Sequence, residues 1–244
     1  PQTRRGMECR RPHPARKVAI AAVGSRGDVQ PSLVLAAALK SRGCSVWVAT
    51  EERLKPLVDS FRLEWRRLEG DSAGLLFEPS AQAAIRSRSL VKLMRITQQW
   101  ESRWDKGVVL RSYETALAGA DVIVAGALTL TPSLCVAEAS GAGFASLIPG
   151  PTWPTAEFPL WALPVPFRCL NHWSYRLAFS QLWAQERPAV DAWRRGLGLP
   201  PLRGAGPLDW IAAREAPVLV ASSRLCCGPD GRVPGDYPPY VMVG

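Results

Sequence analysis

Several things are scarce or missing in this chain, and each absence narrows what it can be. No apolar run approaches the roughly 20 residues that a membrane-spanning helix needs; even residues 110–136 are broken by Arg111, Glu114 and Asp121. The six cysteines, Cys9, Cys44, Cys135, Cys169, Cys226 and Cys227, show no CxxC spacing, and the chain holds only two histidines, His13 and His172. A zinc site or a disulfide framework is therefore not expected, and with no apolar leader segment the thiols are expected to be reduced, in a cytoplasmic setting that leaves room for membrane association. Nor is there a GxGxxG loop, so the glycine that lets a dinucleotide pyrophosphate approach the backbone is missing, which disfavours an oxidoreductase. No internal repeat occurs.

What remains is an ordinary globular composition, 47% apolar and 21% charged over 244 residues. The net charge of +9 hints at nucleic acid, but Arg4, Arg5, Arg10, Arg11 and Arg16 against Glu8 supply +4 of it within residues 1–16, leaving +5 spread over the rest. Residues 1–16 are expected to be a disordered basic tail. The modest remaining charge suits a nucleotide or membrane headgroups and does not call for nucleic acid.

The most informative segment is KVAIAAVGSRGDVQP, residues 17–31. Val18, Ala19, Ile20, Ala21, Ala22 and Val23 are apolar without alternation, as expected of a parallel strand covered on both faces. Gly24 and Gly27 permit a sharp turn, and Pro31 suits the first turn of a helix. The loop then lies at the carboxyl end of the first strand, where open α/β sheets bind ligands. A helix over residues 31–41 closed by Gly43, a strand at 45–50, a short helix at 54–60 and a strand at 63–68 follow. Residues 80–118 read as mostly helical with a break near 106–107. Strands at 121–125 and 145–148 flank a helix at 131–140, residues 171–195 read as helical, and strands at 218–221 and 240–243 end the pattern. This alternation predicts six or seven strands in an α/β, Rossmann-like parallel sheet with helices on both faces over residues 17–244.

The segments GSRGDVQP and RGCSVWVAT, with PGPTWPTAEFP at residues 149–159, resemble the sterol 3-beta-glucosyltransferases and the related lipid and antibiotic UDP-glycosyltransferases. Cys44 stands where that family usually carries histidine. The resemblance implies the N-terminal, acceptor-binding half of a two-domain GT-B enzyme, with the donor domain and its HCGGxGT-type motif absent from these residues. It also implies transfer of glucose from UDP-glucose, a donor substrate and not a bound cofactor, to a sterol or other lipid hydroxyl with inversion and no metal. A macrolide or other natural-product acceptor, and a non-catalytic lipid-binding module, are the alternatives.

Asp28 is the candidate general base, because deprotonating an attacking hydroxyl needs a carboxylate or imidazole within reach. An aspartate there can equally cap the following helix. Ser25, Arg26 and Gly27 can offer N–H groups and a cation to the donor or acceptor, or serve only as loop. The densest aromatic stretch, Trp153, Phe158, Trp161, Phe167, Trp173, Tyr175, Phe179 and Trp183, suits a sterol-sized pocket, although two or three such residues suffice and the others would be core. Trp153, Thr155 and Phe158, with Asn171 and His172, are the candidate acceptor contacts; a lone histidine such as His172 is more often structural.

Overall fold

The computed structural model describes residues 16–87, 89–150, 153–160, 163–204, 206–222, 234–237 and 240–242. Residues 1–15 of the expected tail, with Cys9 and His13, and also Trp161, Cys226 and Cys227, lie outside the described residues. Within them, seven strands form one sheet in the order β3-β2-β1-β4-β5-β6-β7, and every neighbouring pair is parallel. The strands are β1 (Lys17–Ala21), β2 (Ser45–Glu51), β3 (Glu64–Leu68), β4 (Val122–Gly126), β5 (Gly143–Ile148), β6 (Val218–Val220) and β7 (Tyr240–Met242). The helices are α1 (Arg26–Ser41), α2 (Lys55–Ser60), α3 (Pro79–Arg86), α4 (Leu90–Glu101), α5 (Lys106–Leu117), α6 (Leu130–Ser140), α7 (Asn171–Gly196) and α8 (Pro207–Ala213).

The continuous apolar run of β1 reflects two buried faces. Val18 and Ile20 pack with Val29, Leu33 and Ala36 of α1 and Val58 of α2. Ala19 and Ala21 point the other way, into a core with Tyr113, Ala116 and Leu117 of α5 and Val136 and Ala137 of α6. A third core under β6 gathers Leu134, Trp153, Trp183, Val190, Ile211 and Tyr237. Side chains that alternate across a strand with helices on both sides leave no solvent face to signal, hence the unbroken hydrophobicity.

Three expectations are corrected. Helix α1 begins at Arg26, not at Pro31, because Ser25 and Asp28 cap it earlier and place Pro31 inside the helix. The long helical stretch divides into α3, α4 and α5, and the second break falls at residues 102–105, where Asp105 caps α5 by accepting from Val108 N–H at 2.8 Å. Helix α8, which opens at Pro207, is absent from the expected pattern between residues 195 and 218.

From β1 the chain moves outward to β2 and β3, and then returns to add β4 on the other side of β1. The order of construction therefore reverses between β1 and β4. In a parallel sheet, such a switch point opens a crevice beyond the carboxyl ends of the two strands.

Candidate functional site

That crevice holds a cavity of about 560 Å³. The loop after β1 (Val23, Gly24, Ser25, Asp28) and the turn after β4 (Ala127, Leu128) supply one wall. Trp100, Trp104 and Tyr113 line it from α4, the turn after it, and α5, while Phe179, Leu182 and Trp183 line it from α7. The two strand ends are tied together by Thr129, whose buried hydroxyl lies 2.8 Å from Ala21 O and 3.1 Å from Gly126 O.

Asp28 is the third residue of α1 and its side chain turns back on the helix start. Its Oδ2 accepts from both Ser25 N–H and Ser25 Oγ–H, each at 2.7 Å. This is the carboxylate half of a capping box. The second oxygen, Oδ1, has no hydrogen bond to any described residue, so a lone-pair site remains while the other oxygen fixes the side chain. Gly24 makes room for this arrangement. Its φ is +109°, and a Cβ there would stand 2.7 Å from Asp28 Oδ2 and 2.9 Å from Leu128 Cδ1. Serine 25 lines the cavity beside Asp28, whereas Arg26 and Gly27 are exposed, with Arg26 Nε bonded to Gln30 at 2.9 Å.

Carboxylates ring the rest of the cavity. Glu51, at the end of β2, accepts from Ser72 N–H and Oγ–H at 2.6–2.9 Å, and burial pushes its pKa up despite those bonds. Asp71 is held below the ordinary range by its hydrogen bond from Arg53, at 2.5–2.6 Å. Glu101 and Glu186 line the cavity with exposed side chains, yet the protein packed around them raises both, and in Glu186 the neighbouring Glu101 adds to the effect.

The remaining sequence candidates lie elsewhere. Trp153 belongs to the third core, and its backbone N–H donates to the Tyr237 hydroxyl at 3.1 Å. Thr155 is fully buried and donates to Asp236 Oδ1 at 2.7 Å; Ala156 N–H donates to Oδ2 at 2.7 Å. Asn171 is buried and donates to Ala156 O at 3.0 Å. Phe158 is half-buried and His172 is exposed at the start of α7. None of Trp153, Thr155, Phe158, Asn171 or His172 lines the cavity, so the structure does not bring them together with Asp28. On α7, Trp173 and Leu182 are exposed and the buried face runs through Tyr175, Trp183 and Val190.

A sequence model described as the glycosyltransferase family 28 N-terminal domain matches residues 18–152, more than half of the chain and all of the β1 loop. The chain belongs to this family. Among curated family relatives, the O-mycaminosyltylonolide 6-deoxyallosyltransferase of Streptomyces fradiae is 31% identical over 201 residues, covering 79% of this chain and 46% of that protein. The sterol 3-beta-glucosyltransferase of Candida albicans is 27% identical over 188 residues, 75% of this chain and 12% of that protein. The chain thus spans less than half the length of either. In fold it is similar to the glycotransferase of kitacinnamycin, with a TM-score of 0.60 at 20% identity, covering 95% of this chain and 52% of that one. The glycosyltransferase 28 N-terminal fold accounts for the Rossmann-like sheet and for the switch-point cleft.

Proposed function

We propose that this chain is the acceptor-binding half of a nucleotide-sugar-dependent glycosyltransferase, and that Asp28 is its general base toward a hydroxyl of a bulky apolar acceptor. One observation carries the reading: a carboxylate with one oxygen pinned by Ser25 and the other bonded to no described residue stands at the wall of a large, mainly apolar cleft at the switch point. Oδ1 takes the hydroxyl proton as the acceptor oxygen bonds to the sugar's anomeric carbon. The bond from that carbon to the diphosphate oxygen breaks, and the nucleoside diphosphate leaves with the electron pair. Attack opposite the leaving group inverts the anomeric centre. Positioning and proton transfer each lower such a barrier.

In this reading a second α/β domain supplies the nucleotide contacts, and UDP-glucose is the first donor to try. A sterol acceptor is supported by the names of the sterol 3-beta-glucosyltransferases among the relatives. A macrolide-like acceptor is supported by the higher identity to the Streptomyces fradiae transferase. The Trp and Phe lining suits either, since flat and macrocyclic bodies both fill apolar clefts of this size.

The test is an assay of the protein with its donor domain present, using labelled UDP-glucose and a panel of sterols and macrolide alcohols. A glycoside of inverted configuration supports the reading. Absence of product with every acceptor, while the donor is shown to bind, overturns it.

A further inference from the structure

The cleft is far more acidic than an apolar alcohol requires. Of its lining residues, Asp28, Glu51, Glu69, Asp71, Glu101 and Glu186 are carboxylates and Lys106 alone is a cation. Two of the acids are answered from outside: Asp71 by Arg53 at 2.5 Å and Glu69 by Arg67 at 3.0 Å. Glu51 is satisfied by Ser72. Glu101 has no hydrogen bond or ion pair with a described residue, and Glu186 has only a long contact from Thr131 Oγ1 at 3.3 Å. Lys106 acts on both electrostatically but forms no ion pair with either.

Acidic side chains alone would be ordinary solvated surface. Tyr113 is the independent sign of a ligand. Its side chain is 5% exposed and lines the cavity, yet its hydroxyl bonds to no described residue and is not among the sealed buried polar atoms. A phenol buried this far ordinarily has a partner. Its hydroxyl lies within the influence of Glu51 and Glu186, which with burial hold it above the ordinary tyrosine range. The acids do not converge as metal ligands would, since among the described residues no three His, Cys, Asp or Glu side chains are placed to hold a metal ion. An organic cation needs no such convergence.

We propose that the cleft takes an apolar acceptor bearing a protonated amine, whose N–H groups are held by Glu101 and Glu186 with the Tyr113 hydroxyl beside them. The proposal rests on the acceptor reading above and narrows it: a plain sterol has no such group. Bringing a cation between two carboxylates that line the same cleft relieves their mutual repulsion, and an amine held there is discriminated from a methyl of the same size.

The experiment titrates the protein with two fluorescent probes that differ only at one end, dansylcadaverine with its terminal ammonium and dansyl hexylamide with a methyl in its place. The ammonium probe is expected to bind about tenfold tighter or better at low salt. In the Glu101→Gln, Glu186→Gln double variant that preference disappears while the affinity for the methyl probe is unchanged. Tyr113→Phe, which keeps the ring and its packing, lowers the preference about threefold without altering the methyl probe. Equal affinity for the two probes in the unsubstituted protein overturns the amine and leaves the apolar acceptor cavity standing. A preference that survives in the double variant places the ammonium elsewhere and overturns the assignment. Failure of both probes to bind, in protein that melts cooperatively, removes the acceptor cavity itself.

Discussion

Two aspartates, Asp28 in the first turn of α1 and Asp236 in a turn before β7, use their oxygens in opposite ways. Asp236 uses both: Thr155 Oγ1 donates to one and Ala156 N–H to the other. Burial alone would raise its pKa, but those donors and the nearby His172 outweigh it and hold the carboxyl below its ordinary value. Asp28 uses one oxygen twice and leaves the other, at the cavity wall, without a hydrogen bond to any described residue. A saturated carboxylate fixes backbone, whereas a half-saturated one is fixed and still has a lone pair to offer. Counting acceptor sites separates the two roles where residue type cannot.

The largest expected effect is on turnover. In the enzyme with its donor domain, Asp28→Asn keeps the helix cap but removes the proton acceptor, so kcat should fall by about 10²–10⁴ with little change in Tm. Steady-state kinetics with a melting curve decide it; near-normal turnover would make Asp28 a cap and erase the contrast with Asp236. Gly24→Ala comes next. A side chain at φ +109°, 2.7 Å from Asp28 Oδ2, forces the carboxylate to move, and the backbone strain should remove about 1–3 kcal/mol of stability together with part of the turnover. Denaturant unfolding measures the first and kinetics the second.

Asp236→Asn should do the converse of Asp28→Asn. It leaves one donor facing an amide N–H and should lower stability by about 1–3 kcal/mol, with kcat per folded molecule retained. A loss of kcat at unchanged Tm would contradict the structural role. The smallest effect is in pH dependence, where the two regions have opposite signs. Because the folded pKa of Asp236 is depressed, its stabilisation is full above the unfolded value of about 4 and is lost as pH falls through the lower folded value. Glu51 is raised chiefly by burial, and Glu101 and Glu186, though exposed, are raised by the protein packed around them. Their folded forms bind protons more tightly than the unfolded chain, so stability declines as pH rises from the ordinary glutamate range through their folded values. Melting temperature against pH should therefore lose part of its low-pH slope in Asp236→Asn, the rest being carried by groups such as Asp71, and part of its higher-pH decline in Glu101→Gln.

The sheet was legible because its strands are buried on both faces and so are written as unbroken apolar runs, β1 and β4 above all. The β1 loop was legible for the same reason: strand, glycine, acid and helix are contiguous. The opposite wall of the cavity was not. Trp100, Glu101, Tyr113 and Glu186 belong to three different helices, and only packing brings them to the mouth of β1. Aromatic density misled at Trp153 and Phe158, since a tryptophan in a core and one in a cleft look alike in sequence; Trp183 lines the cavity and Trp153 does not. In α7 the polar residues Asn171, Ser174 and Arg194 are buried, which a hydrophobic stripe cannot announce.

Pro31 has a consequence for how the loop moves. Lying within α1, it has no N–H to return to the Gly27 carbonyl, so the turn carrying Asp28 is joined to the remaining helix by one backbone bond fewer. Amide protons of that turn should exchange with solvent sooner than those beyond Pro31, because the turn can open as a small unit of its own. Asp28 is thereby mounted on a segment that can yield while the sheet beneath it stays shut.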